Sequence, residues 1–252
     1  AEIIVCENNF HGRTTAIVGF SSEDQYREGF GPFTPGFVLV PYGDADAFEA
    51  AVTENTVGFL VEPLQGEGGV VVPPDGYLRR TAEICRERRI AFMGDEIQTG
   101  LGRTGRLFCC EWEDVRPDVL IVGKALGGGV YPVSATIADA EFMDVFQPGD
   151  HGSTFGGHPV ATAVAVANII AMRDEGLLEH VLATEGYFRE RLQGVADAHT
   201  CIGEVRGTGF FYAVDLCADS GTGLDLSPGQ ESALRGGVLG GFVRDARVTI
   251  RP

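Results

Sequence analysis

Lysine is almost missing from this chain. Lys124 is the only one in 252 residues, against eighteen arginines. A guanidinium stays protonated at any accessible pH, so the one side-chain amine is the one such group able to lose its proton and attack a carbonyl. Composition offers a plainer account: a GC-rich genome exchanges lysine for arginine, and a single survivor is then an accident. Positive charge is scarce altogether, with 19 Lys and Arg facing 36 Asp and Glu for a formal net charge of −17. Such a surface repels phosphate backbones and no basic stripe offsets it, so nucleic acid is not an expected partner. Long apolar runs are lacking too. The longest helical one, Val160 to Met172, is too short and too rich in alanine to cross a bilayer. No basic-then-apolar leader opens the sequence, and the expectation is a cytoplasmic protein without a membrane partner. The six cysteines, at positions 6, 85, 109, 110, 201 and 217, form no CxxC pair and keep no regular spacing with histidine. Neither a zinc site nor a disulfide framework is expected, and the thiols read as small buried hydrophobes in a reducing compartment.

What is present alternates between strand and helix. Glu2–Cys6 opens as a strand, and a second short strand follows the loop around Phe30 to Gly36. Asp44 is placed to cap a helix running to Asn55. Val57–Val61 reads as a strand ending in Glu62-Pro63, and Tyr77–Arg89 as a helix whose apolar face is Leu78, Ala82, Ile84 and Cys85. Further strands are expected at Ile90–Met93, Val119–Val122 and Val133–Ile137. Beyond Pro159 the pattern is helical, broken at Gly176 and resumed through Glu190. Gly203–Gly209 then leads into the apolar run Phe210–Leu216, and Asp219–Gly229 reads as a Gly-, Ser- and Asp-rich loop. Strands that are continuous apolar runs separated by helices predict an α/β fold, a mostly parallel sheet covered on both faces, followed by part of a smaller α+β unit. The expected division is 1–176 for the large domain and 177–252 for an incomplete small one.

In such sheets ligands sit beyond the carboxyl ends of the strands. Three of those ends carry charge: Glu62, Asp95 and Lys124. Asp95 alone reads more readily as an ion-pair or capping residue. With the sole lysine 29 residues on, it suggests a carboxylate and an amine gripping opposite sides of one flat ring. Pyridoxal phosphate is held in this way, a carboxylate keeping the pyridine nitrogen protonated and a lysine holding the aldehyde carbon. Gly152-Ser-Thr-Phe-Gly-Gly-His-Pro159 is a glycine- and hydroxyl-bearing loop with proline at the first helical position, suited to an anion such as a cofactor phosphate. Gly123-Lys124 opens no nucleotide P-loop, because Ala125 replaces the Ser or Thr and Asp118 stands at the first glycine.

Eight collinear segments resemble the class III aminotransferases, pyridoxal phosphate enzymes of fold type I, and within them the wording is nearest to the ornithine enzymes. They are Asn9-Phe-His-Gly-Arg-Thr14, Phe30-Gly-Pro-Phe-Thr-Pro-Gly-Phe37, Val61-Glu-Pro-Leu-Gln-Gly-Glu-Gly-Gly69, Gly94-Asp-Glu-Ile-Gln-Thr-Gly-Leu-Gly-Arg-Thr-Gly105, Arg116-Pro-Asp118, Gly123-Lys-Ala-Leu-Gly-Gly-Gly129, Tyr131-Pro-Val-Ser134 and His151-Gly-Ser-Thr-Phe-Gly-Gly157. The resemblance implies a homodimeric transaminase that passes an amino group from an amine or ω-amino acid to a 2-oxo acid by a ping-pong route. It makes Lys124 the carbonyl-binding amine and proton carrier, and Asp95 the partner of the pyridine nitrogen. Phe10 would stack on one ring face, Ile97 would cover the other and Gln98 would reach the ring hydroxyl. His11 falls in the cofactor-binding set, at a position where some ornithine enzymes use a bulky aromatic. Ser153 and Thr154 would bind the phosphate of the neighbouring subunit's cofactor, Arg13 a substrate carboxylate, and Glu67 would screen a second arginine expected just past Pro252, so that Arg251 is not that residue. Glu62, ahead of a proline, reads as structural or supporting.

Relative to the family the chain is expected to be truncated at both ends. An aminomutase or decarboxylase would share the same lysine, aspartate and sheet, and a non-catalytic fragment is the remaining alternative. A mutase needs no 2-oxo acid acceptor, which separates it from a transaminase by product analysis.

Overall fold

The computed structural model describes residues 1–200 and 202–216, with the backbone alone of residues 246–250. Cys201, Cys217, the 219–229 loop and Arg251 lie outside the described residues. Six strands form one sheet in the order β2-β1-β3-β4-β5-β6: β1 Glu2–Cys6, β2 Phe37–Val40, β3 Thr56–Val61, β4 Ala91–Asp95, β5 Val119–Val122 and β6 Ala135–Ala138. The first five run parallel and β6 is antiparallel to β5. Pro132 lacks a backbone donor, and β6 begins at Ala135, two residues later than the apolar pattern suggests.

Helices are α1 Thr15–Gly19, α2 Asp24–Arg27, α3 Ala45–Ala51, α4 Tyr77–Arg88, α5 Ala140–Met143, α6 Pro159–Asp174 and α7 Leu177–Ala198. Asp44 caps α3 as expected, its carboxylate accepting the Ala47 N–H at 2.8 Å. The helix stops at Ala51 rather than Asn55, because Thr53 and Thr56 draw the backbone into side-chain bonds: Thr56 Oγ1 accepts the Thr53 N–H at 2.9 Å and Thr53 Oγ1 the Asn55 N–H at 3.1 Å. Gly176, at φ +62, separates α6 from α7, and α7 runs eight residues past Glu190 to Ala198.

One core packs α3 and α4 against the sheet through Phe48, Phe59, Phe92, Ile84 and Leu78, with Phe48 and Phe59 stacked at 4.1 Å. Cys6, Cys85 and Cys110 are buried in it, and Cys109 lies in a second cluster; all four thiols are free.

The glycine-rich stretch expected to lead into the second unit is itself a strand, β7 Ile202–Thr208, paired antiparallel with β8 Phe211–Leu216; β9 Ala246–Ile250 runs parallel to β8. This small sheet meets the large one through Phe211 and Ala213 against Leu64, Val70 and Cys109. Arg206 bridges the two, donating to the Gly69 carbonyl at 2.6 and 2.9 Å while pairing with Asp215. Several large apolar side chains on α6 and the loops before it face outward, among them Val130 (77% exposed), Phe155 (74%), Phe146, Val160 and Ile169. No helix of the described residues is long and apolar enough to cross a membrane.

Candidate active site

Parallel pairing brings the carboxyl ends of β3, β4 and β5 side by side. Val61 pairs with Gly94, and Asp95 with Ile121, so Glu62, Asp95 and Lys124 leave the sheet along one rim. The loop after β1 folds over the same rim. A cavity of about 140 Å³ opens there, lined by Phe10, His11, Gly12, Glu62, Asp95, Ile97, Gln98 and Lys124.

Asp95 is 5% exposed. Its Oδ1 accepts the Ile97 N–H at 3.1 Å and its Oδ2 lies 2.7 Å from His11 Nδ1. The imidazole and the backbone together fix the carboxylate plane, which a sequence pattern alone does not reveal. Behind it, Glu96 is buried and bonded by Thr99 and by the Cys110 N–H at 2.8 Å; burial raises its carboxyl pKa.

Lys124 starts a single 3₁₀ turn directly after Gly123, at φ +41. A non-glycine residue in this region is strained, and strain persists where its surroundings over-determine it. Partial desolvation lowers the ammonium pKa, while Asp95 and Glu62 pull it up. A Cβ at Gly123 would make ordinary van der Waals contact with Ser134 at 3.4 Å and Ile97 at 3.5 Å.

Phe10 meets Tyr26 edge to face at 5.8 Å, and the Arg13 guanidinium lies over the Tyr26 ring at 4.2 Å and the Phe10 ring at 5.4 Å. Arg13 is exposed beside the cavity rather than lining it. Glu67 follows Gly66 on the loop after β3 and also lies outside the lining. Ser153 and Thr154 sit in an exposed loop, where Ser153 Oγ accepts the Gly156 N–H at 3.1 Å, and a single chain does not bring them to this cavity.

Glu62, expected at the ligand-bearing rim only as a structural or supporting residue, lines the cavity at 4% exposure. Burial pushes its carboxyl up to about 7; His11 and the Phe10 and Gly66 amides oppose this, and Asp95 adds to it. A carboxyl raised above its usual 4.5 favours the folded state when protonated, so its contribution is full below that value and lost as pH rises through about 7. Glu62→Gln cannot ionise. Its stability relative to the parent chain is therefore expected to rise by about 3 kcal/mol across this window. Urea unfolding on either side of the window measures the difference, and a difference flat with pH would overturn the assignment.

Two polar atoms in the lining, His11 Nε2 and Gln98 Nε2, are buried without a hydrogen-bond partner. Buried groups left unpaired cost about 1–3 kcal/mol each, so a guest offering polar atoms at these points is favoured. A slot between Phe10 and Ile97, with a carboxylate, an amine and two unpaired polar atoms around it, suits a flat, polar-edged ring. The residues present fit pyridoxal phosphate on that ground. Among the described residues no group of three or more His, Cys, Asp or Glu could hold a metal ion.

Comparison with known proteins places this geometry in context. An ornithine aminotransferase of an Exiguobacterium species is 56% identical over 216 residues, 86% of this chain and 54% of the relative. The ornithine aminotransferase of Toxoplasma gondii, whose structure shows partial occupancy of PLP at its active site, superposes with a TM-score of 0.83 at 45% identity, covering 86% of this chain and 51% of that one. An (S)-enantioselective omega-transaminase from Thermomicrobium roseum gives a TM-score of 0.83 at 29% identity, over 100% of this chain and 61% of that one. The chain thus spans about half the length of the curated relatives it matches. The family description "Aminotransferase class-III" matches residues 1–249, and the chain belongs to that family.

Proposed function

We propose that this chain carries the catalytic centre of a pyridoxal phosphate-dependent transaminase, which moves an amino group from an ornithine-like amine or ω-amino acid to a 2-oxo acid by a ping-pong route. The observation that carries the reading is the shared cavity of Asp95 and Lys124, the only side-chain amine in the chain.

The cofactor, when bound, supplies an electron sink that makes a proton on the donor's amine-bearing carbon removable. Asp95 holds a proton at the ring nitrogen, and His11 at 2.7 Å keeps the carboxylate aimed. Phe10 and Ile97 would hold the ring between them, and Gln98 would offer its amide to the ring hydroxyl. The Lys124 amine, once neutral, would be the base that takes up the proton of the donor carbon and gives it back, a task its lowered pKa favours. Arg13, held over two aromatic rings, binds a substrate carboxylate, and Glu67 screens a second, carboxylate-binding arginine.

Ser153 and Thr154 serve the phosphate of a partner subunit's cofactor, which makes the homodimer the working unit. The outward apolar side chains at Val130, Phe155 and Val160 support such an interface. The boundary between a large unit, 1–176, and a small one from 177 is proposed at the left-handed Gly176. A cytoplasmic setting belongs to the same reading, supported by the four free thiols.

The test is borohydride reduction of the chain mixed with pyridoxal phosphate, followed by peptide mass mapping. The expected adduct lies on Lys124, with the α-amine of Ala1 as the competing site. An adduct on Ala1 alone would overturn the reading.

A further inference from the structure

The wall of the cavity is built from two loops that are far apart in sequence, and one carboxylate touches both. Glu62 Oε2 accepts the Phe10 N–H at 2.9 Å, and Glu62 Oε1 accepts the Gly66 N–H at 3.3 Å. We propose that Glu62 is a positioning residue, whose two oxygens fasten the loop after β1 to the loop after β3 and so set the spacing between Phe10 and Gln98 across the slot.

Glu62 is itself firmly placed. It directly follows Val61, which pairs with Gly94, so its backbone is anchored beside Asp95. Pro63 restricts the next step of the chain, and the Tyr42 hydroxyl donates toward the Glu62 and Pro63 carbonyls at 3.1 and 2.9 Å. From this fixed base the carboxylate reaches in two directions. On one side it holds the Phe10 amide, one residue before the imidazole that contacts Asp95, so the ring of Phe10 and the tilt of His11 share an anchor. On the other side it holds Gly66, which packs directly under Gln98. A Cβ at Gly66 would lie 2.7 Å from the Gln98 side-chain amide, so the Gly66 backbone is the floor on which that amide rests. The loop then closes on itself, with the Gly69 and Val70 amides donating to the Gly66 carbonyl at 3.0 and 3.2 Å. In a buried setting each backbone amide left without its acceptor is costly, so the two bonds to the Glu62 oxygens hold both loops.

The inference rests on the proposed function only for what the slot receives. Its test therefore has a cofactor-free part and a cofactor part. Glu62→Gln keeps the shape but offers one acceptor oxygen and one donor, so only one of the two amides can be satisfied; Glu62→Ala satisfies neither. Amide hydrogen exchange of the full chain without cofactor is expected to show protection reduced about tenfold or more at Phe10 or Gly66 in the first variant and at both in the second, with β3 and β4 amides unchanged. Titration with pyridoxal phosphate is expected to show affinity about tenfold weaker or more in both variants, and a weaker circular dichroism band of the bound ring. Unchanged protection at both amides in Glu62→Ala overturns the fastening. Lost protection with unchanged affinity and dichroism also overturns the proposal, reducing Glu62 to a fold residue. If Glu62→Ala unfolds, Glu62→Gln decides by the same readouts. A parent chain that takes up no pyridoxal phosphate, alongside lost amide protection in the variants, overturns the cofactor reading and the positioning role toward it, while the fastening of the two loops stands.

Discussion

Lys124→Ala is expected to slow amino-group exchange with an ornithine-like donor by a factor on the order of 10⁴, and Lys124→Arg by as much. The two variants separate charge from proton transfer. Arginine preserves the positive charge beside Asp95 and Glu62 but cannot release its proton, so equal losses identify the neutral amine as the working form. The alanine variant also leaves a space at the start of the 3₁₀ turn, and a small added amine such as methylamine is expected to restore part of the rate there. Single-turnover absorbance changes with donor alone measure the effect without an acceptor. Activity in either variant within tenfold of the parent chain would remove Lys124 from the proton path.

Asp95→Asn is expected to cost a factor on the order of 10² to 10³ in the same half-reaction. The amide keeps the size of the carboxylate and can still accept the Ile97 N–H, so the loop survives while the negative charge is lost. A cofactor analogue methylated on the ring nitrogen carries a permanent positive charge there. It is expected to recover much of the rate in the variant while doing little for the parent chain. If the analogue gives the variant no advantage, Asp95 acts through His11 or through folding, and its proposed contact with the ring is wrong.

These two residues were legible in the sequence for a physical reason: each is an uncommon group at the end of an apolar strand, and parallel sheets collect such ends on one rim. The sheet itself was legible because short apolar, β-branched and aromatic runs such as Phe59–Val61 alternate with helical patterns, the mark of strands covered on both sides. What the sequence concealed depends on partners distant along the chain. Glu62 shares the strand-end position of Asp95 and Lys124, but its two bonds to the loops after β1 and β3 join residues that no local pattern connects. The contact of His11 with Asp95 spans 84 positions and follows no local pattern. Strand β7 was hidden by its glycines, which normally weaken a strand; Gly207, at φ +141, approaches Phe211 so closely that a Cβ would lie 2.0 Å from its carbonyl oxygen. The direction of β6 was equally hidden, because a four-residue apolar run has no polarity of its own.

The buried cysteines give the molecule a built-in clock. Burial pushes the Cys6 and Cys85 thiols up to about 12 and raises Cys109 and Cys110 as well, so the attacking thiolate is nearly absent at neutral pH and none of the four faces solvent. Thiol-directed reagents can then reach these positions only when the structure opens. Cys110 donates its backbone amide to Glu96, next to Asp95, whereas Cys85 sits on α4 in the core cluster the two thiols share. The order in which the two become labelled separates opening of the turn behind the cavity from opening at α4.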